Sequence, residues 1–102
     1  MIGSEAGLVA AITRDRAAGK RIGFAPVSFD LLRVTEVRSL QAAAATSDRL
    51  VVAVIDGTLP SVTTAADRAE LVDNLRGVDY VIVCIAERVD QLAALLVPDT
   101  RA

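Results

Sequence analysis

The chain has no histidine and no tryptophan, and only one cysteine and one lysine. Without histidine it lacks the commonest general base and the commonest metal ligand. A single cysteine excludes an intrachain disulfide. Cys84 falls inside the apolar run Tyr80-Val81-Ile82-Val83-Cys84-Ile85 and reads as a small, inert core residue. Aromatics make up 3% of the residues, and the 11 basic side chains are scattered. A nucleic-acid partner needs stacking rings and a clustered basic face, so none is expected. No apolar run approaches the roughly 18 residues of a membrane span. The N-terminus has no basic segment and Glu5 interrupts it, so it does not read as a secretory signal. The expectation is a soluble, cytoplasmic protein without a membrane partner.

What remains is apolar and aliphatic. Hydrophobic residues make up 53% of the 102 positions, against a net charge of −2. That supports one domain, 1–102, with helices packed on a buried parallel sheet. Ser4 is placed to cap a helix running to about Ala18, with Leu8, Ala11, Ile12 and Asp15 on one stripe. Arg21 to Ala25 reads as a short strand closed by Pro26. A second helix is expected from Val34–Glu36 through Leu40 and the alanines 42–45. Arg49 to Ile55 is β-branched and apolar throughout, hence a strand, broken by Asp56-Gly57. Thr64-Ala65-Ala66-Asp67 matches a capping box and opens a helix toward Gly77. Asp79 to Ile85 is a third strand, and Glu87 to Val97 a fourth helix ahead of Pro98. Strands separated by helices make βαβ units, so the fold class is α/β, Rossmann-like and three-layered, with about three parallel strands.

Ser28-Phe29-Asp30-Leu31-Leu32-Arg33-Val34-Thr35-Glu36 lies between the first strand and the second helix. With Gly19-Lys20-Arg21-Ile22, Ser47-Asp48-Arg49-Leu50, Val78-Asp79-Tyr80-Val81 and Leu96-Val97-Pro98-Asp99, it resembles the cytidylyltransferase-like nucleotidyltransferases. The adenylyltransferase domains of ADP-heptose synthesis are the most similar branch. The resemblance implies transfer of a nucleotidyl group to a phosphate acceptor, with ATP or CTP and magnesium as the nucleotide. It also implies a His-x-Gly-His signature holding the triphosphate at the start of the second helix, where preorganised donors stabilise developing charge.

This sequence departs from that pattern. Arg33 stands in the first histidine slot, Thr35 in the glycine slot and Glu36 in the second histidine slot. Arg33 retains the ability to donate to an anion. Thr35 adds bulk, and Glu36 repels a phosphate unless a metal bridges them. Asp30 either shapes the phosphate turn or simply stabilises it. Pro26-Val27 replaces a permissive Asn-Gly, and the loop after the second strand is reduced to Asp56-Gly57-Thr58-Leu59-Pro60 without a basic residue. Arg68 reads as an exposed, salt-bridging side chain, and Asp15, Asp48, Asp73 and Asp90 as a solvated acidic surface. In the family a fourth strand lies beside the first, and the nucleotide sits at the switch point between them. Only Thr100-Arg101-Ala102 follows Asp99 here, so the expectation is a truncated domain with the edge of 21–25 unpaired. Asp30, Arg33, Thr35 and Glu36 are then the positions of a degenerate phosphate site, with no catalytic and no metal-binding residue assigned. The function expected is a catalytically degenerate, nucleotidyltransferase-like subunit that forms a homo-oligomer or binds a partner protein through that edge. The alternative is an adenylyl- or cytidylyltransferase completed by another chain or copy.

Overall fold

The computed structural model describes residues 1–29, 32–57 and 63–102. Asp30 and most of the loop 56–60 therefore lie outside the described residues. Four parallel strands, β1 (Ile22–Val27), β2 (Arg49–Asp56), β3 (Tyr80–Ile85) and β4 (Thr100–Arg101), form one sheet in the order β3-β2-β1-β4. Helices α1 (Glu5–Ala17) and α4 (Val89–Leu96) cover one face, α2 (Val34–Ala45) and α3 (Ala65–Asp73) the other. A 3-10 turn, Ala86–Arg88, leads into α4. Leu8, Ile12, Leu92 and Leu96 pack against Ile22, Phe24, Val51 and Ala53 on the first face. Leu40, Ala69 and Val72 pack against Ala25, Val52, Val54 and Val81 on the second. Among the described residues no helix is long and apolar enough to cross a membrane.

Local chemistry explains most boundaries. The Ser4 hydroxyl accepts from the Gly7 amide and Thr64 from the Asp67 amide, each satisfying a donor that the helix leaves open. Gly57, at φ 80°, takes the left-handed conformation that ends β2. Gly23 holds a close approach, since a Cβ there would stand 2.8 Å from Ser47 Oγ and 3.2 Å from Thr100 Oγ1.

Three expectations are corrected. The sheet has four strands, because Thr100-Arg101 pairs with Gly23 and Phe24. The edge of 21–25 is accordingly not open along its length: the amides of Asp99 and Ala102 donate to the carbonyls of Ile22 and Phe24. Two residues suffice because α4 ends at Leu96 and returns the chain alongside β1. Pro26 does not close β1 but lies within it, paired with Ala53. Its nitrogen faces away from β2, so the missing N–H costs that ladder nothing.

The opposite edge also meets the chain's own backbone. Ile2 bridges to Val81, with Gly3 N donating to Val81 O and Val81 N to Met1 O. Beyond this bridge, Val83 and Ile85 remain exposed on β3.

Candidate functional site

The carboxyl end of β1 and the first turns of α2 enclose a cavity of about 330 Å³. Ala25, Pro26 and Val27 line it from the strand, Thr35, Glu36, Ser39 and Leu40 from the helix, and Ala102 from beyond β4. This is the switch point of the sheet. From β1 the chain crosses one way to β2 and β3, while β4 returns to β1's other side, leaving a crevice outside the carboxyl ends.

The cavity is lined by two of the residues expected from the sequence and not by a third. Thr35 and Glu36 are on its wall. Arg33 is not: it is the exposed N-cap of α2, extended at φ −113° and ψ 168°, with no capping hydrogen bond from its side chain. Asp30 lies outside the described residues. Ser39 was not among the expected positions, and Pro26, noted only as replacing a permissive residue, lines the wall as well. Ser39 sits one turn after Thr35, a spacing that puts both hydroxyls on one helix face, and that spacing was the available signal.

Glu36 is the third residue of α2. A carboxylate there complements the partial positive charge of the helix N-terminus. Its Oε2 is shielded from solvent and has no hydrogen-bond partner. None of the ion pairs among the described residues involves it. The first turn of α2 thus carries its own carboxylate at the cavity wall.

Arg68, expected on the surface, is buried at 6% exposure. Its Nη2 donates to Ile55 O at 3.2 Å and its Nη1 to Thr63 O at 2.7 Å. It ties the exit of β2 to the start of α3, and this architectural task is why the charge tolerates burial.

The acidic side chains read as solvated are also engaged. Asp15 accepts from the Tyr80 hydroxyl at 2.6 Å and lies 3.7 Å from Arg49. Asp48 accepts from the Arg21 amide, Asp73 meets the Met1 amino group, and Asp90 pairs with Arg101. The Asp15 bond and charge push the Tyr80 phenol above its ordinary value. Cys84, expected in the core, is half-buried at its margin; burial still raises its thiol, as its inert reading from sequence requires. A hydrogen bond from Arg88 lowers the Glu5 carboxyl, and the same contact raises Arg88. Among the described residues no three potential metal ligands come together.

No protein-family model matches the chain. It is 37% identical over 103 residues to the bifunctional protein HldE of Halorhodospira halophila, covering 93% of this chain and 22% of that protein. It is 33% identical over 92 residues to HldE of Wolinella succinogenes, covering 82% and 19%. To HldE of Hyphomonas neptunium it is 33% identical over 97 residues, covering 86% and 20%. The chain therefore spans about a fifth of the length of these curated relatives. Among solved structures, a lipopolysaccharide core biosynthesis protein from Thermoplasma volcanium superposes with a TM-score of 0.74 at 21% identity, covering 81% of this chain and 73% of that one. That likeness concerns the fold.

Proposed function

Because this chain belongs to the cytidylyltransferase-like nucleotidyltransferase family, we propose that it uses the family's fold without the family's chemistry, as a non-catalytic binding or interaction subunit. One observation carries the reading: Glu36, at the third position of α2, places a carboxylate with a shielded, unpartnered oxygen where a triphosphate would need donors. The neighbouring groups agree. Pro26 has no N–H to offer, Thr35 adds bulk where close backbone approach is wanted, and Arg33 stands outside the cavity wall. Residual nucleotide binding, if the site retains any, is a phosphate contact through Arg33 rather than a seated triphosphate. The test is calorimetry of the purified chain with ATP and with CTP, each with magnesium, beside an assay for released pyrophosphate. Weak or flat heats and no pyrophosphate are expected. Turnover with either nucleotide and an acceptor phosphate would overturn the reading.

A second reading is an adenylyl- or cytidylyltransferase whose phosphate donors are supplied by another chain or copy. Pyrophosphate release that needs both chains would favour it.

A further inference from the structure

The passage from α4 to β4 is held under strain by a contact from another helix. Val97 is the one non-glycine residue with positive φ among the described residues, at φ 46° and ψ 61°. It closes α4, its amide donating to Ala93 O, at a position where glycine is usual. Two steric rules oppose its conformation. A β-branched side chain crowds its own backbone in the left-handed region, and the residue before a proline, here Pro98, is driven toward extended backbone. Arg16 of α1 holds the conformation in place. Its Nη2 donates to Leu96 O at 2.6 Å and to Val97 O, and its Nη1 lies 3.8 Å from Asp99 Oδ2. Burial changes at the same point: Leu96 is buried, whereas no residue from 97 to 102 is. What joins that segment to the sheet is mostly polar. Asp99 clamps Ile22 through its amide and carboxylate, Ala102 N donates to Phe24 O, and Arg101 lies over the Phe24 ring and pairs with Asp90.

We propose that residues 97–102 form a strap, hinged at Val97 and latched by Arg16, that opens while the rest of the sheet stays folded. Opening lets Val97 relax to the extended backbone that Pro98 favours. It frees the β4 side of Ile22 and Phe24, and it removes Ala102 from the wall of the cavity beside β1. Little apolar surface is uncovered, which is the mark of a segment that opens locally rather than with the whole molecule. Backbone strain of this kind persists only where surrounding contacts impose it, and it collects at switch regions. The strap is thus a gate on the switch-point crevice, whether or not nucleotide is turned over there.

The test is native-state hydrogen exchange of the full ¹⁵N-labelled chain in low urea. Two matched amides are compared: Ile22 N, bonded to Asp99 of the strap at 2.7 Å, and Leu50 N, bonded to Asp79 ahead of β3 at 2.8 Å. Both residues are buried. After correction for intrinsic rates, Ile22, Asp99 and Ala102 are expected to exchange on the order of a hundredfold faster than Leu50, with little dependence on urea, as small openings do. Val97→Asn, which accepts left-handed backbone more readily, should slow Ile22 and Asp99 about tenfold. Arg16→Met keeps the aliphatic stem without the donors and should speed them about tenfold or more. Ile22 exchange that follows Leu50 in rate and urea dependence would overturn the strap as an independent unit. An unchanged rate in Val97→Asn would overturn the hinge, and in Arg16→Met the latch. None of these rates reads nucleotide binding or pyrophosphate release, so the strap and the non-catalytic reading fail independently.

Discussion

Arg68 shows how far a single residue's role depends on where its neighbours stop. Its guanidinium bridges two backbone carbonyls, Ile55 O at the end of β2 and Thr63 O before α3. A planar fork does this, whereas a lysine ammonium is a compact charge that cannot span both with the same geometry. Arg68→Ala should therefore destabilise the chain by about 2–3 kcal/mol, through carbonyls left without donors and a void in the second core. Arg68→Lys should recover only part of that loss, and urea unfolding of the three proteins would show the order. An unchanged midpoint for Arg68→Ala would refute the architectural role. The sequence displayed an arginine in the first turn of a helix, a position usually exposed. Its burial goes with the carbonyls of Ile55 and Thr63, which it meets from opposite sides of the β2–α3 connection in sequence.

At the level of elements, one device recurs three times. Asp48, Asp79 and Asp99 each immediately precede, or stand one residue ahead of, a strand. Each uses its amide and a carboxylate oxygen to grip one residue in, or just before, the neighbouring strand. Asp79 N donates to Leu50 O while its Oδ2 accepts from Leu50 N at 2.8 Å. Asp99 does the same with Ile22, at 2.7 Å to the amide, and Asp48 with Arg21, at 2.8 Å. These clamps fix where each parallel pair begins, and a parallel ladder set off by one residue would turn its core side chains to the wrong face. Asp79→Ala should cost about 1–2 kcal/mol, since the Leu50 amide loses a charged acceptor in a part-buried setting. Asp79→Asn keeps an oxygen there and should cost about half as much. Equal losses for both, measured by thermal unfolding, would argue that charge rather than the hydrogen bond matters.

For the whole molecule, the contacts of α1 define a pH window. Tyr80 of β3 donates to Asp15 of α1, and the phenol's pKa is raised from about 10. A raised folded pKa means the contribution is complete below the ordinary value and is lost as pH climbs through the folded one. Glu5 of α1 meets Arg88, and its pKa is lowered from 4.5. That contribution is present above the ordinary value and disappears as pH falls through the folded one. Melting temperature should accordingly hold across neutral pH and decline beyond both ends. Tyr80→Phe should flatten the alkaline decline at a cost of about 1 kcal/mol at neutral pH, the bond being only part-buried. Glu5→Gln should soften the acid decline only slightly, both partners being well exposed. An alkaline decline that survives Tyr80→Phe would place its origin elsewhere.

The fold class, the four helices, the three long strands and the placing of Thr35 and Glu36 at the start of α2 follow from local chemistry. Caps such as Ser4 and Thr64, the β-branched run 49–55 and the aliphatic spacing of α1 act within a few residues, so the sequence alone determines them. The fourth strand, the buried Arg68, the three aspartate clamps and the cavity beside β1 were decided only by the tertiary structure. The clamp bonds join residues 27, 29 and 77 positions apart. Strand β4 is two residues long, too short to carry a pattern, and exists because α4 delivers it to β1. Glu36 is legible as a helix-start carboxylate, but whether its oxygen finds a partner depends on what β1 brings opposite, which no local pattern contains.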